Sequence, residues 1–238
     1  MLHGQLYDTP DNARGIDCNT PIDARIAATL ITQGYKFAHR YVRRAAANAR
    51  DLSADEANII LAAGLGISVV QHVTSATSWV PSPSDGTRYG ETAAAEVERL
   101  GFPSGSMIAC DLEGVTPGTT HQIVMDYARA WYAAVQAAGF LPELYVGWHC
   151  GLTPAELYDL PFTRYWGAYN LNTDEEPAVR GLCMKQRAAT PADGIMGIPF
   201  DVDIARADRK GDRAVMFAPF GWAPEDFSRR AGPELAHP

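Results

Sequence analysis

Two hydrophobic periods take turns along this chain. Continuous apolar or alternating runs of strand length fall at residues 14–19, 36–42, 66–73, 107–114, 141–148, 164–169, 181–186 and 198–204. Helical spacing and cap signals lie between most of them. Thr20-Pro21 reads as N-cap and first helical residue before an apolar face of Ile22, Ile26, Leu30 and Ile31, which stops at Gly34. Ser53 and Glu56 carry the capping-box spacing for a second helix that ends near Gly64. A third helix is expected from about Gly90 to Leu100, after a long polar loop over residues 74–89 that contains Trp79. The longest helix opens at Thr119 or Thr120, with a buried stripe of Ile123, Tyr127, Trp131, Ala134 and Ala138, and stops at Gly139. Thr153-Pro154-Ala-Glu156 opens a short fifth one. Helices after the sixth and eighth strands are weak or missing.

Eight strands with intervening helices predict an α/β chain, a single parallel (β/α)8 TIM-like barrel over residues 14–204. Residues 1–13, polar and turn-rich, are expected to form a loose N-terminal arm. Residues 205–238 are expected to pack on the barrel as an extension, or to stay flexible.

Composition narrows the function. The 238 residues carry a formal net charge of -8 and are 47% hydrophobic, a globular balance without the clustered basic face that nucleic acid requires. Lysine supplies only Lys36, Lys185 and Lys210 of the 20 basic residues. No stretch is apolar for long enough to span a membrane, and the opening residues lack a signal peptide's basic start and apolar run. Cys18, Cys110, Cys150 and Cys183 are widely spaced without a Cys-x-x-Cys, so they read as small buried thiols. No Gly-x-Ser-x-Gly or phosphate loop is present. The first strand, where many metal-dependent barrels carry His-x-His, holds Asp17-Cys18-Asn19 instead. Neither metal nor cofactor is expected, and no pattern points to an oligomeric state.

The chemistry concentrates where an apolar strand, Met107-Ile-Ala-Cys, runs into Asp111-Leu-Glu113. Side chains i and i+2 of a strand share a face, so these carboxyls lie about 6–7 Å apart along it. Each raises the other's charging energy, which suits one acid to stay protonated beside an ionised neighbour. Ordinary helix capping or arginine pairing is the competing explanation. In a barrel the C-terminal strand ends form the active face. Those ends carry Asp17, Arg40, Gln71, Asp111, Glu113, Tyr145, Trp166, Tyr169, Gln186, Asp201 and Asp203. Acids and amides for hydroxyls, with aromatic rings for apolar sugar faces, suit a glycan.

Gly15-Ile-Asp17, Asp111-Leu-Glu113, Leu144-Tyr145, Trp166-Gly-Ala-Tyr169, Lys185-Gln186 and Asp201-Val-Asp203 fall in order on successive strands. In this the chain resembles glycoside hydrolase family 25, the barrel-fold muramidases. The opening through Arg40-Tyr41 is more closely similar to the actinobacterial glycoside-hydrolase-like barrel family once filed as domain of unknown function 1906. The resemblance spans roughly residues 15–204. It implies Glu113 as general acid, Asp111 as the carboxylate that stabilises an oxocarbenium-like transition state or orients the substrate's acetamido group, and Asp17 and Asp201 as supporting catalytic acids. Arg40, Gln71, Tyr145, Trp166, Tyr169, Gln186 and Asp203 become expected substrate contacts. The departures are Lys185 where the muramidases usually carry Trp, and Asp203 where they carry Asn. The implied partner is bacterial peptidoglycan or a related polysaccharide. That target places the chain at the cell wall, as a phage lysin, a virion-associated module or a mature secreted form. The alternative is a catalytically silent barrel that binds glycan or serves a structural role.

Overall fold

A computed structural model describes residues 2–193, 198–223 and 227–229. After a first strand, β1 (Gln5–Asp8), eight strands close into a barrel: β2 (Arg14–Cys18), β3 (Phe37–Val42), β4 (Gly66–Gln71), β5 (Met107–Leu112), β6 (Leu141–Val146), β7 (Tyr165–Gly167), β8 (Met184–Ala188) and β9 (Asp201–Ala205). Closure runs through the β4–β5 pairing, Val69 opposite Ile108. The strands match the expected α/β barrel, with one change of direction. β2 to β8 are parallel, whereas β9 runs antiparallel to both neighbours and pairs Asp201 with Asp17 and Asp203 with Gln186. A parallel return would need a helical crossover. The connection from β8 instead carries a 3-10 turn at Pro191–Asp193. Reversal puts Asp201 at the mouth and Asp203 one layer deeper, opposite to the order of a parallel strand.

Among the described residues five helices flank the wall: α1 (Ala24–Thr32), α2 (Ala54–Ala62), α3 (Pro83–Leu100), α4 (His121–Ala137) and α5 (Pro154–Tyr158). The cap of α1 is Asp23, which accepts from Ile26 N–H at 2.7 Å, and not Thr20. Ser53 caps α2 as expected, but Glu56 does not close the box; its carboxylate goes to Ile22 N–H and Arg40. At α5 the Thr153–Glu156 box is complete. The α4 stripe is shifted, with Val124, Tyr127, Trp131 and Val135 buried and Ile123 exposed.

The largest departure among helices is α3, which begins after the Ser82 cap and so shortens the expected loop. Gly86, which falls in the expected loop, and Gly90, the expected helix start, let α3 touch α4: a Cβ on either would collide with the carbonyl of Tyr127 or Trp131. Glycine costs a helix about 1 kcal/mol relative to alanine, and close helix contact offsets it here.

The N-terminal arm is not loose. β1 pairs antiparallel with β10 (Val215–Ala218) and, on its other edge, with β11 (Ser228–Arg229). Leu6 and Tyr7 are buried. This ribbon lies against the N-terminal strand ends: Phe217 pairs with Ile67, and Val215 N–H meets Met107 Sδ at 3.3 Å. The C-terminal extension thus packs on the barrel through residues 205–223; its residues 224–226 and 230–238 lie outside the described residues. All four cysteines are buried and unpaired. Among the described residues no helix is long and apolar enough to cross a membrane.

Candidate active site

Strand alternation sorts the predicted site residues into three places. Register carries one inward face around the wall: Asp17 beside His39, Tyr41 beside Val70, Asp111 beside Tyr145, Tyr145 beside Trp166, and Gln186 beside Asp203. Near the mouth this face gathers Asp17, Asp111, Tyr145, Gln186 and Asp201, with Glu113 just past the end of β5. Tyr169 stands on the rim, more than half exposed.

Why β5 delivers its acids inward follows from its apolar run. All six residues are buried, as in a wall strand covered on both faces. Cys110 faces outward toward Tyr127 of α4, so Asp111 faces the barrel axis. Glu113 continues that face. Its main-chain carbonyl accepts the Trp79 indole N–H at 2.6 Å, and Gly114 N–H donates to Trp148 O at 2.7 Å. Gly114 sits at φ +65, where a Cβ would run into the backbone of Ser75 and Ala76. Gly147 is bare because a Cβ there would lie 2.8 Å from Glu113 Oε2.

Asp17 is the hub of the polar contacts. Gln186 Nε2 donates to its Oδ2 at 2.8 Å, and the Tyr41 hydroxyl also hydrogen-bonds it. Gln186 Oε1 accepts from Tyr145 OH at 3.0 Å and from Tyr169 N–H at 3.2 Å. Burial pushes Asp17 up to about 7, with the Asp201 and Glu113 charges adding to it against the hydrogen bonds from Gln186 and Tyr41. Asp111 is raised well above the usual carboxylate range, first by burial and then by Glu113 and Asp17. Its Oδ1 meets no donor among the described residues. Burial also raises Glu113 and Asp201. Among the described residues no cation contributes to Glu113 or Asp111. The shifts therefore all run toward retaining the proton, the direction a general acid requires.

Trp166 and Asp203 form a floor one layer below. The Trp166 indole N–H donates to Asp203 Oδ1 at 2.9 Å, and its ring stacks on His39 at 4.7 Å between centroids. Burial lowers His39 to about 3, so this imidazole is neutral, and raises Asp203 far up. Both Trp166 and Asp203 are fully enclosed, which corrects the expectation that they touch substrate directly.

Arg40 and Gln71 are not at the mouth at all. Arg40 faces outward, wholly buried, with Nε 2.5 Å from Glu56 Oε1, Nη2 2.8 Å from Arg50 O, and Nη1 on Cys18 O. It ties the loops after β2 and β3 to α2. Gln71 donates to Tyr89 O at 2.7 Å and accepts the Trp131 indole N–H at 2.8 Å, between the wall and helices α3 and α4. Both expected substrate contacts are corrected to wall residues by a single-residue shift of face.

Tyr41 and Trp148, strand-end residues of the sequence, also join the site. Tyr41 is the inward neighbour of Arg40, and counting twos from His39 turns it inward. Trp148, on the loop after β6, is half exposed beside the Glu113 backbone. No group of three or more His, Cys, Asp or Glu among the described residues is arranged to hold a metal ion.

The fold and this acid-lined mouth define a barrel of the glycoside hydrolase-like class. The chain belongs to the Rv2525c-like, glycoside hydrolase-like domain family, whose model matches residues 28–204. Solved structures of similar fold include the Tat-secreted protein Rv2525c of Mycobacterium tuberculosis in complex with L-tartrate, at 15% identity and a TM-score of 0.59, covering 82% of this chain and 96% of that one. A muramidase from Trichobolus zukalii aligns at 13% identity and 0.56, over 82% and 93%. The modular autolysin LytC from Streptococcus pneumoniae, solved with a synthetic peptidoglycan ligand, aligns at 11% and 0.57, over 82% of this chain and 46% of that one. No curated protein matches by sequence.

Proposed function

We propose that this chain is a glycoside hydrolase of bacterial cell-wall peptidoglycan, cutting the β-1,4 bond after N-acetylmuramic acid. The observation that carries the proposal is Glu113: part-exposed at the mouth, raised by burial, and unopposed by any cation among the described residues. Glu113 protonates the leaving glycosidic oxygen. Asp111 stabilises the developing cation or holds the substrate's acetamido group for attack, while Asp17 and Asp201 complete the acidic lining around them. Tyr145 and Gln186 hold Asp17 in place. Tyr169 and Trp148 offer rings for sugar faces. Asp203, through Trp166, supports the floor. The fold likeness to a muramidase and to a peptidoglycan-bound autolysin supports this substrate class, and the description of Rv2525c as Tat-secreted accords with action at the wall.

The exposed rings of Trp148 and Tyr169 would equally serve a silent glycan-binding barrel. Reducing-end release from purified peptidoglycan, with mass spectrometry of the fragments, separates the two. Wild type is expected to yield muramic-acid reducing ends and Glu113→Gln none. If neither cuts yet both sediment with the wall, the chain is a binder.

A further inference from the structure

Strand β8 grips the turn that follows β7 from both of its faces. On the outer face Lys185 Nζ donates to Ala168 O at 2.6 Å and Leu171 O at 2.5 Å. On the inner face Gln186 Oε1 accepts Tyr169 N–H, while the other end of the same amide holds Asp17. The turn is closed by Leu171 N–H on Ala168 O at 3.1 Å and tied to β6 by Ala168 N–H on Val146 O at 3.0 Å. Gly167 lies so close beneath Leu171 and Leu182 that a Cβ would come within 2.5 Å of Leu182 Cδ1. The backbone of residues 167–171 is thus fixed on four sides, and the one aromatic ring it presents to solvent is Tyr169, 55% exposed, next to the exposed Asn170.

An ammonium group half-buried against two carbonyls is an expensive way to close a turn, and burial lowers the Lys185 pKa accordingly. The cost has a return if the turn must not move. A platform already immobile before binding loses little freedom when a sugar settles on it, and that saving appears as affinity. We infer that Lys185 is a positioning residue for glycan affinity, holding the 168–171 turn so that the Tyr169 ring is preset as the sugar platform next to Asp17. The inference rests on the glycan reading above and names the subsite contact that is preorganised.

A double-mutant cycle tests it. In the Glu113→Gln background, binding of soluble peptidoglycan fragments is measured by calorimetry for Lys185→Met, Tyr169→Ala and the pair. Each single change is expected to weaken binding about tenfold, and the pair no more than Tyr169→Ala alone, because Lys185 acts only through that ring. With Glu113 intact, Lys185→Met should raise KM about tenfold and leave kcat within about twofold, a split that a general loss of folding would not produce. Lys185→Gln, which keeps a donor for one carbonyl, should fall between wild type and Lys185→Met. Binding by Lys185→Met equal to the parent, or losses that multiply in the pair, would overturn the inference while leaving the hydrolase assignment standing. A parent protein that neither binds nor cuts the glycan overturns both.

Discussion

Outside the barrel wall, acids sit against guanidinium groups: Glu56 on Arg40, Asp193 on Arg187, and Asp208 and Asp212 on Arg180. Inside it, Asp17, Asp111, Glu113 and Asp203 face one another, and what partners they have are amides, hydroxyls and an indole. The pKa directions divide along the same line. Arg187 holds Asp193 far below its ordinary value, while burial drives the inner acids up. The same residue type therefore does two jobs a strand's thickness apart. Pairing outside locks loops and helices to the wall; burial inside shifts the acids at the mouth toward keeping their protons.

The sharpest way to break this contrast is to neutralise one acid from the inner set. Glu113→Gln should lower turnover about a thousandfold, the scale of lost general acid catalysis, and leave the thermal midpoint unchanged or raised. Activity within tenfold of wild type would remove Glu113 from the proposed role. Removing a member of the outer set should do the reverse. Arg40→Leu strands Glu56 in a buried place and is expected to cost about 3–5 kcal/mol in denaturant unfolding. Its kcat per folded molecule should stay near wild type. A stable Arg40→Leu protein that fails to cut would place this arginine back in the site.

A smaller effect is in the pH dependence. An acid whose folded pKa lies above its unfolded value contributes stability at pH below the unfolded value, and that contribution is lost as pH rises through the folded one. Asp17, raised to about 7, and Glu143, raised by burial to about 8, therefore favour folding in acid and oppose it above neutrality. The outer acids Asp193 and Glu96, lowered by their arginines, lose their contribution only as pH falls below the ordinary carboxylate range. The melting temperature should decline from about pH 5 to about pH 8, and Asp17→Asn should flatten that slope by an amount on the order of a few kcal/mol. A flat profile in wild type would mean the inner acids ionise freely. The smallest change belongs to the exposed pair Arg88–Asp85. Arg88→Ala should shift neither melting nor turnover, as a control for the buried pairs.

Much of this division was legible in the chain. The apolar approach to Asp111, its i+2 partner Glu113, and the ordered Gly15-Ile-Asp17 and Lys185-Gln186 segments identify the wall strands and most of the mouth. The errors are of three physical kinds. Arg40 and Gln71 were assigned by proximity to a strand end, although alternation from His39 and Asp111 turns them outward and brings in Tyr41. The start of α3 was hidden because Gly86 and Gly90 have a tertiary purpose, contact with α4, that local propensity counts against a helix. The direction of β9 has no sequence signature at all, since Asp201-Val-Asp203 presents the same face read up or down. Short β1 was missed for a related reason: it is held by pairing with β10, some two hundred residues away.

The reversal of β9 also decides which way the molecule can be handled. A chain that runs back down on its eighth strand leaves the barrel on the side away from the mouth, where β10 and β1 cover the lower end. A bead, surface or carrier attached to that ribbon would hold the protein from beneath, with the acid-lined mouth directed into solution.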